Sequence, residues 1–254
     1  MARPSARKSR TEALLALTDG GGRVRLRDAA RRLGVTEMTL RRDAAQPDAP
    51  LRCLGGWLVA AGGSGDYDLT AEMLRHVEAK NRAARHVAAG IRTGARVFVD
   101  CGTTTPHLAR LLPDGVVVVT HSLAVAQAVA ARGGLGLELL GGAYHPESGS
   151  LHADPPLPEG MAFDIAVLSA GGIGEGPDGA LSCSHRHERA IKRAALARAG
   201  RRVVLADDSK LGQRRPVAFA RRAEVDAVVT ERGPLEGGSW PGAGEDAPLS
   251  DRAS

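Results

Sequence analysis

Leu26-Arg-Asp-Ala-Ala-Arg-Arg-Leu-Gly-Val-Thr-Glu-Met-Thr-Leu-Arg-Arg-Asp43 is the stretch from which the rest of the chain can be read. Ala29, Ala30 and Leu33 fall on one face at helical spacing. Gly34 supplies the permissive turn where that helix ends, and Thr36 is a good N-cap for a second helix. The pattern predicts a helix-turn-helix. Its second helix buries Val35 and Leu40 against the first and leaves Thr36, Glu37, Met38, Thr39, Arg41 and Arg42 on its outer surface. Short polar side chains early in such a helix reach base edges, and arginines reach guanine edges or phosphates. The same residues also suit a two-helix packing unit with a solvated basic face.

Charge distribution separates the two readings. The net charge is +5, yet Met1 to Ala60 alone hold 12 Lys/Arg against 6 Asp/Glu, so the other 194 residues are nearly neutral. A small phosphate-neutralising module joined to a neutral partner has this asymmetry. At 254 residues, 43% hydrophobic and 25% charged, the chain suits two unequal folded domains. No apolar run approaches the roughly 20 residues of a membrane helix. The basic start lacks the apolar core of a secretory signal, so a cytoplasmic protein without membrane association is expected. Cys53, Cys101 and Cys183 are isolated and imply no disulfide framework. Cys183-Ser-His185-Arg-His187 has no second Cys or His pair at finger-like spacing, so neither a metal nor a cofactor is expected.

Outward from the opening stretch, Arg10 to Leu17 has helical spacing and Asp19-Gly20-Gly21-Gly22 stops it, leaving Arg23 to Leu26 as a lead-in. After Asp43, Pro47 and Pro50 prevent a long helix. Leu51 to Leu54, Gly55-Gly56 and Trp57 to Ala60 form a hairpin wing. Val35-Thr-Glu-Met-Thr-Leu-Arg-Arg-Asp43 with the Gly55-Gly56 pair resembles the N-terminal domain of DeoR-family transcriptional regulators. That resemblance covers residues 10–60.

Ala61-Gly-Gly-Ser-Gly65 reads as a linker, and Leu69, Met73, Val77, Ala84, Val87 and Ile91 recur at helical spacing. Strands are expected at Arg96 to Asp100, Gly115 to Thr120, Leu135 to Leu140, Phe163 to Ser169, Arg202 to Ala206 and Val225 to Thr230. Helices follow Thr105, Ser122 and His185. Alternation of this kind predicts a mostly parallel sheet covered on both faces, with ligands beyond the carboxyl ends of its strands. The turn Cys101-Gly102-Thr103-Thr104-Thr105-Pro106 fits an anion site, with Gly102 for close approach and hydroxyls from the threonines. It equally fits a loop whose threonines cap the helix.

Asp100-Cys-Gly-Thr-Thr-Thr105, Val119-Thr-His-Ser122, Leu140-Gly-Gly142, Phe163-Asp164, Glu188, Lys192 and Asp208-Ser-Lys210 resemble the sensor domain of the same family over residues 69–230. The resemblance implies a fold related to ribose-5-phosphate isomerase and a phosphorylated sugar or similar effector. Asp100, Gly102, Thr103, Thr104, Thr105, His121, Gly171, Glu188 and Lys210 are the effector residues it implies. Lys210 would supply a point charge to phosphate, Glu188 would accept from hydroxyls, and His121 stands where the family commonly has asparagine.

The isomerases carry two aspartates in the turn after the strand that here reads Asp164-Ile-Ala-Val, and Leu168 and Gly171 take their places. General acid-base isomerisation is left without a proton acceptor there, so no enzyme is expected. The chain is thus expected to be a DNA-binding repressor of carbohydrate or related metabolite genes. It would act as a homo-oligomer on double-stranded operator DNA. A metabolite-binding protein or isomerase-like enzyme without a DNA role is the alternative. The expected organisation is a winged helix-turn-helix at 1–60, a linker at 61–68, an α/β sensor at 69–230 and a disordered tail at 231–254. Asp154-Pro-Pro156 and Pro158 are expected to leave loop between Gly142 and Phe163.

Overall fold

The structure, a computed structural model, describes residues 10, 13–14, 23–44, 51–54, 56–60, 69–176 and 178–241. The chain divides into two compact units, Met1–Tyr67 and Asp68–Ser254.

In the first unit, strand β1 (Arg23–Arg25) leads into α1 (Leu26–Leu33), followed by α2 (Glu37–Ala44), β2 (Leu51–Leu54) and β3 (Trp57–Ala60). The lead-in expected before α1 is therefore a strand, which pairs antiparallel with β3 to give the order β1-β3-β2. Leu26, Ala29, Ala30, Leu40 and Leu58 pack with Leu14 in a small core. Val35 packs half-buried against it. Gly34 ends α1 at φ 65°, where a side chain would cost about 1–2 kcal/mol. Thr36 Oγ1 accepts from Thr39 N–H at 3.2 Å, the expected N-cap of α2. Arg10 donates to Asp43 Oδ2 at 2.8 Å and so ties the end of α2 to the chain before it. Most of the helix expected at Arg10 to Leu17, the two prolines after Asp43, Gly55 and the 61–68 linker lie outside the described residues.

The second unit begins with α3 (Leu69–Leu74) and α4 (Val77–Ala89), broken between them at His76, φ 52°. The chain then gives β4 (Arg96–Val99), α5 (Thr105–Ala109), β5 (Val117–Thr120), α6 (Leu123–Arg132), β6 (Gly136–Leu139), β7 (Ala143–His145) and β8 (Ser150–His152). After these come β9 (Phe163–Ser169), β10 (Gly172–Ile173), β11 (Ala180–Cys183), α7 (Arg186–Ala197), β12 (Ala199–Leu205), β13 (Val217–Arg221), β14 (Ala227–Thr230) and β15 (Gly233–Pro234).

Seven strands form one sheet in the order β15-β14-β12-β9-β4-β5-β6, parallel except for β15. Its central strands are apolar runs because both faces are covered. Val97, Val99, Val118, Ile165 and Val203 pack under α4, α5 and α6. Phe98, Val119, Ala166, Leu168 and Val204 pack on the other face with Ile191 and Ala195 of α7.

Two expectations are corrected. Residues 143–152, read as loop because of the prolines that follow, form the hairpin β7–β8, and those prolines sit beyond it. The tail, read as disordered from 231, is packed through Pro241. In it β15 pairs with β14, and Trp240 lies in the core with its indole N–H on His86 O at 3.0 Å. Residues 242–254 lie outside the described residues. No helix among the described residues is long and apolar enough to cross a membrane.

Candidate functional site

The chain runs from β4 outward to β5 and β6, then returns to the other side of β4 with β9 and β12. A crevice opens at the carboxyl end of a parallel sheet where its winding reverses in this way, here between β4 and β9. Asp100, the residue after β4, spans that point. His121 Nε2, after β5, lies 3.0 Å from Asp100 Oδ1. Ser169, at the end of β9, donates to Oδ2 from its backbone N–H at 2.9 Å and its hydroxyl at 3.0 Å. The Lys192 ammonium, reaching in from α7, donates to Oδ2, and also to Ser169 O at 3.0 Å.

Glu188, one turn before Lys192, extends the network. Its Oε2 lies 3.5 Å from Lys192 Nζ, and its Oε1 lies 3.0 Å from His185 Nδ1. Asp100, His121 and Lys192 are completely buried. Burial alone would raise the Asp100 carboxyl, but the Lys192 ammonium and His121 outweigh it and hold Asp100 well below the usual carboxylate range. Burial would likewise lower Lys192, and Asp100 and Glu188 overcome it and raise its affinity for the proton. Glu188 is held low against its burial by His185 and Lys192. The Cys101 thiol is pushed well up by burial, so it is no nucleophile. With two carboxylates to one ammonium, the cluster suits hydrogen-bond donors better than an anion.

The threonine turn lies beside it. Gly102 has φ 129°, and a Cβ there would stand 2.7 Å from Ser169 Cβ, so the close approach requires glycine. Thr105 donates to Gly102 O at 3.4 Å. Thr104 stands at the N-cap of α5 yet makes no side-chain capping bond, contrary to the capping alternative. Thr103, Thr104 and Thr105 are all buried.

Gly171 and Lys210 have other hydrogen-bond partners than the Asp100 network. Gly171 N–H donates to Ser182 O at 2.8 Å, and Gly171 O accepts from Arg215 Nε at 3.1 Å. Lys210 Nζ pairs with Glu72 of α3 at 3.0 Å. Lys80 of α4, completely buried, donates to Glu72 O, and its ammonium is disfavoured by burial although Asp207 supports it. Asp207, after β12, leaves Oδ2 buried without a hydrogen-bond partner among the described residues. Such an atom costs about 1–3 kcal/mol unless something pairs with it.

Five of the eight histidines gather over α7 and the β7–β8 hairpin. His152 meets His121 edge-on at 4.8 Å, and His145 stacks on His187 at 3.9 Å. Burial and the neighbouring imidazoles hold His152 down at about 3, and burial also lowers His187. Three groups here have donor sets for a metal: Asp100-Cys101-His121, His185-His187-Glu188 and His145-Glu147-His187. The Lys192 ammonium against Asp100 and Glu188 opposes a cation in the first two.

In the first unit, Thr36, Glu37, Met38, Arg41 and Arg42 are exposed and Thr39 is half-buried, while Leu40 faces the core. Met38 is 72% exposed, a large apolar side chain with no packing reason to be there. Arg25 lies over the Trp57 ring at 4.9 Å, where the wing strand adjoins α1.

Sequence reasoning did not assign Lys192, Ser169, His185 or Lys80 to the site. Lys192 had a signal in its spacing, since Glu188 and Lys192 are four apart on a helix that follows a strand end. Ser169 and Lys80 had none.

A family model described as the DeoR C-terminal sensor domain matches residues 75–232. The deoxyribose operon repressor of Escherichia coli (strain K12) is 32% identical over 231 residues, spanning 89% of this chain and 90% of that protein. The glycerol-3-phosphate regulon repressor of Escherichia coli (strain K12) is 28% identical over 232 residues, spanning 89% and 91%. Among solved structures, a D-ribose-5-phosphate isomerase in complex with phospho-erythronic acid is 21% identical with a TM-score of 0.40, covering 53% of this chain and 54% of that one.

Proposed function

Because the chain belongs to the DeoR family of transcriptional regulators, we propose that it represses carbohydrate or related metabolite genes and is released by a phosphorylated sugar or similar effector. It is a DNA-binding regulator and not an enzyme. A homo-oligomer in the cytoplasm presents at least two copies of α2 to successive major grooves of operator DNA. Thr36, Glu37, Met38 and Thr39 approach base edges, and Arg41 and Arg42 hold phosphates or guanine.

In the sensor, the effector phosphate lies on the Gly102 to Thr105 turn, with Lys210 contributing charge once Glu72 releases it. The hydroxylated end faces Glu188, His185 and the strand ends at Asp100, His121 and Gly171. The excess of carboxylate over ammonium in the Asp100 cluster supports this polarity, since it repels phosphate and accepts hydroxyls. The repressor names of two relatives, for deoxyribose and glycerol-3-phosphate genes, support the effector class.

The observation that carries the reading is the exposed face of α2, where polar side chains and two arginines follow a Thr36 cap while Leu40 and Ala44 turn inward. Genomic fragments enriched on the immobilised full chain supply the probe. Arg41→Glu with Arg42→Glu should abolish their gel retardation. In the wild type the salt dependence of binding should be steep, with each phosphate contact contributing roughly 0.9 to the slope. Retardation unchanged by the double reversal rejects the assignment.

A further inference from the structure

We propose that His145, Glu147 and His187 form a binding site for a divalent cation of the zinc class, which fastens the β7–β8 hairpin to the first turn of α7. His145 ends β7, Glu147 lies in the hairpin turn, and His187 is the second residue of α7. Their ligand atoms all lie within 4.8 Å of one another. Glu147 Oε1 stands 3.3 Å from His145 Nδ1 and 3.7 Å from His187 Nδ1. An ion with ligands at ~2.0–2.1 Å in a tetrahedron sets them ~3.3–3.4 Å apart, so these gaps are close to bonding geometry before any ion enters.

The surroundings match what such a site needs. His187 Nε2 lies 3.0 Å from Ser148 Oγ, Ser148 Oγ lies 2.7 Å from Ser150 Oγ, and Ser150 Oγ lies 2.8 Å from His152 Nε2. With His187 as its donor, this chain holds a proton on Nε2 and turns the Nδ1 lone pair to the Glu147 carboxylate, the tautomer that a cation at Nδ1 takes. In that tautomer a cation between Nδ1 and the carboxylate relieves their lone-pair repulsion. A partner that takes the second ring nitrogen is also what orients a ligating histidine. Among the described residues, Glu147 forms ion pairs only with these two histidines, so no lysine or arginine competes for the place.

Two imidazoles and a carboxylate suit zinc, and three protein ligands leave one tetrahedral position open. The rings, now stacked at 3.9 Å with planes 26° apart, turn out of that stack as they close on the ion.

The test is a calorimetric titration of the full chain, stripped with chelator, with Zn²⁺. One equivalent per chain should bind. Glu147→Gln and His187→Gln should each weaken binding at least about tenfold, whereas Cys53→Ser should leave it unchanged. Glu147 is exposed, so its variant keeps the fold, and its melting temperature in chelator should equal that of the wild type. Zn²⁺ should then raise the melting temperature of the wild type and not of Glu147→Gln. Binding that is substoichiometric, that survives both variants, or that is lost with Cys53→Ser would overturn the proposal.

Discussion

Arg41 on α2 and Lys192 on α7 are both helical cations, and the two units treat them in opposite ways. Arg41 is exposed and its charge is available to whatever approaches. Lys192 is completely buried, with Asp100, Ser169 and Glu188 filling its donor positions. Keeping a charge in water costs the fold almost nothing, whereas burying one costs several kcal/mol that only well-placed partners offset. The difference teaches that the exposed face of α2 can change at little cost to stability. In the sensor the Asp100 cluster holds the strand ends, so on the proposed reading an effector drawing on Glu188 or Asp100 also alters how those ends are held.

The most severe test of that contrast is Lys192→Ala. It strands two carboxylates, and removing one member of a buried pair costs about 3–5 kcal/mol, a large share of a typical domain's stability of ~5–15 kcal/mol. Denaturant titration should show this loss. Asp100→Asn combined with Lys192→Met should recover part of it, and additive losses would mean that the two are not coupled. The wild-type pair is insensitive to pH around neutrality. Asp100, depressed on folding, contributes above the unfolded carboxylate value and loses that contribution only as pH falls through its lower folded value. Lys192, raised on folding, contributes below its unfolded value and loses that only as pH rises through its higher folded one.

A smaller effect is expected at Lys210 and Glu72, which are only partly buried, at 13% and 14% side-chain exposure. Lys210→Ala should cost about 1–3 kcal/mol by leaving Glu72 without its main partner. It should also blunt the release of DNA by sugar phosphates. Glu72→Gln, which frees the ammonium, should sharpen that release. A dose response unmoved by either change would remove Lys210 from the effector site and leave it a structural lysine.

His152 sharpens the comparison through pH. Its folded value is about 3 against an ordinary 6.5, so it is neutral in the folded state when the unfolded chain would already be protonated. Stability should therefore fall as pH drops from about 6.5 toward 3, with the penalty complete below the lower value. His152→Gln should flatten the stability profile within that window. An identical slope in wild type and variant would show that the histidine cluster carries no such cost.

How much of this was legible in the sequence follows from where each signal lives. The parallel sheet was legible because strands covered on both faces are apolar runs, and Val97-Phe-Val99 and Val117-Val-Val119 are hard to mistake. The cap of α2 and the turn before it were legible because Thr36 and Gly34 carry local backbone rules. The break at His76 was not, since the apolar spacing runs straight through it. Neither was the hairpin at 143–152, whose strands are three residues each, β7 largely exposed and β8 half-buried, too short to show an alternating apolar face. Lys80 and Lys192 show the deepest limit. A lysine on a helix reads as solvated until the fold brings Glu72 or Asp100 to it from 8 or 92 residues away. Trp240 was hidden by the glycine- and proline-rich composition around it, although its ring packs in the core and its indole N–H bonds to α4.

The smallest expected effect is the most exacting for the contrast. Arg41→Glu with Arg42→Glu should lower unfolding free energy by only about 1–2 kcal/mol, because both side chains are exposed and neither lies in the small core of Leu26, Ala29, Ala30, Leu40 and Leu58. The reversal places two carboxylates in the last turn of α2, where the helix dipole favours cations and disfavours anions by about 0.3–1 kcal/mol per charge, which is the source of that small loss. Thermal unfolding of the variant should remain a single transition shifted by only a few degrees while its DNA affinity is gone. If the first unit melts instead, lost DNA binding would no longer report on the recognition surface. Arg41 and Lys192 would then be doing the same structural job in two different places.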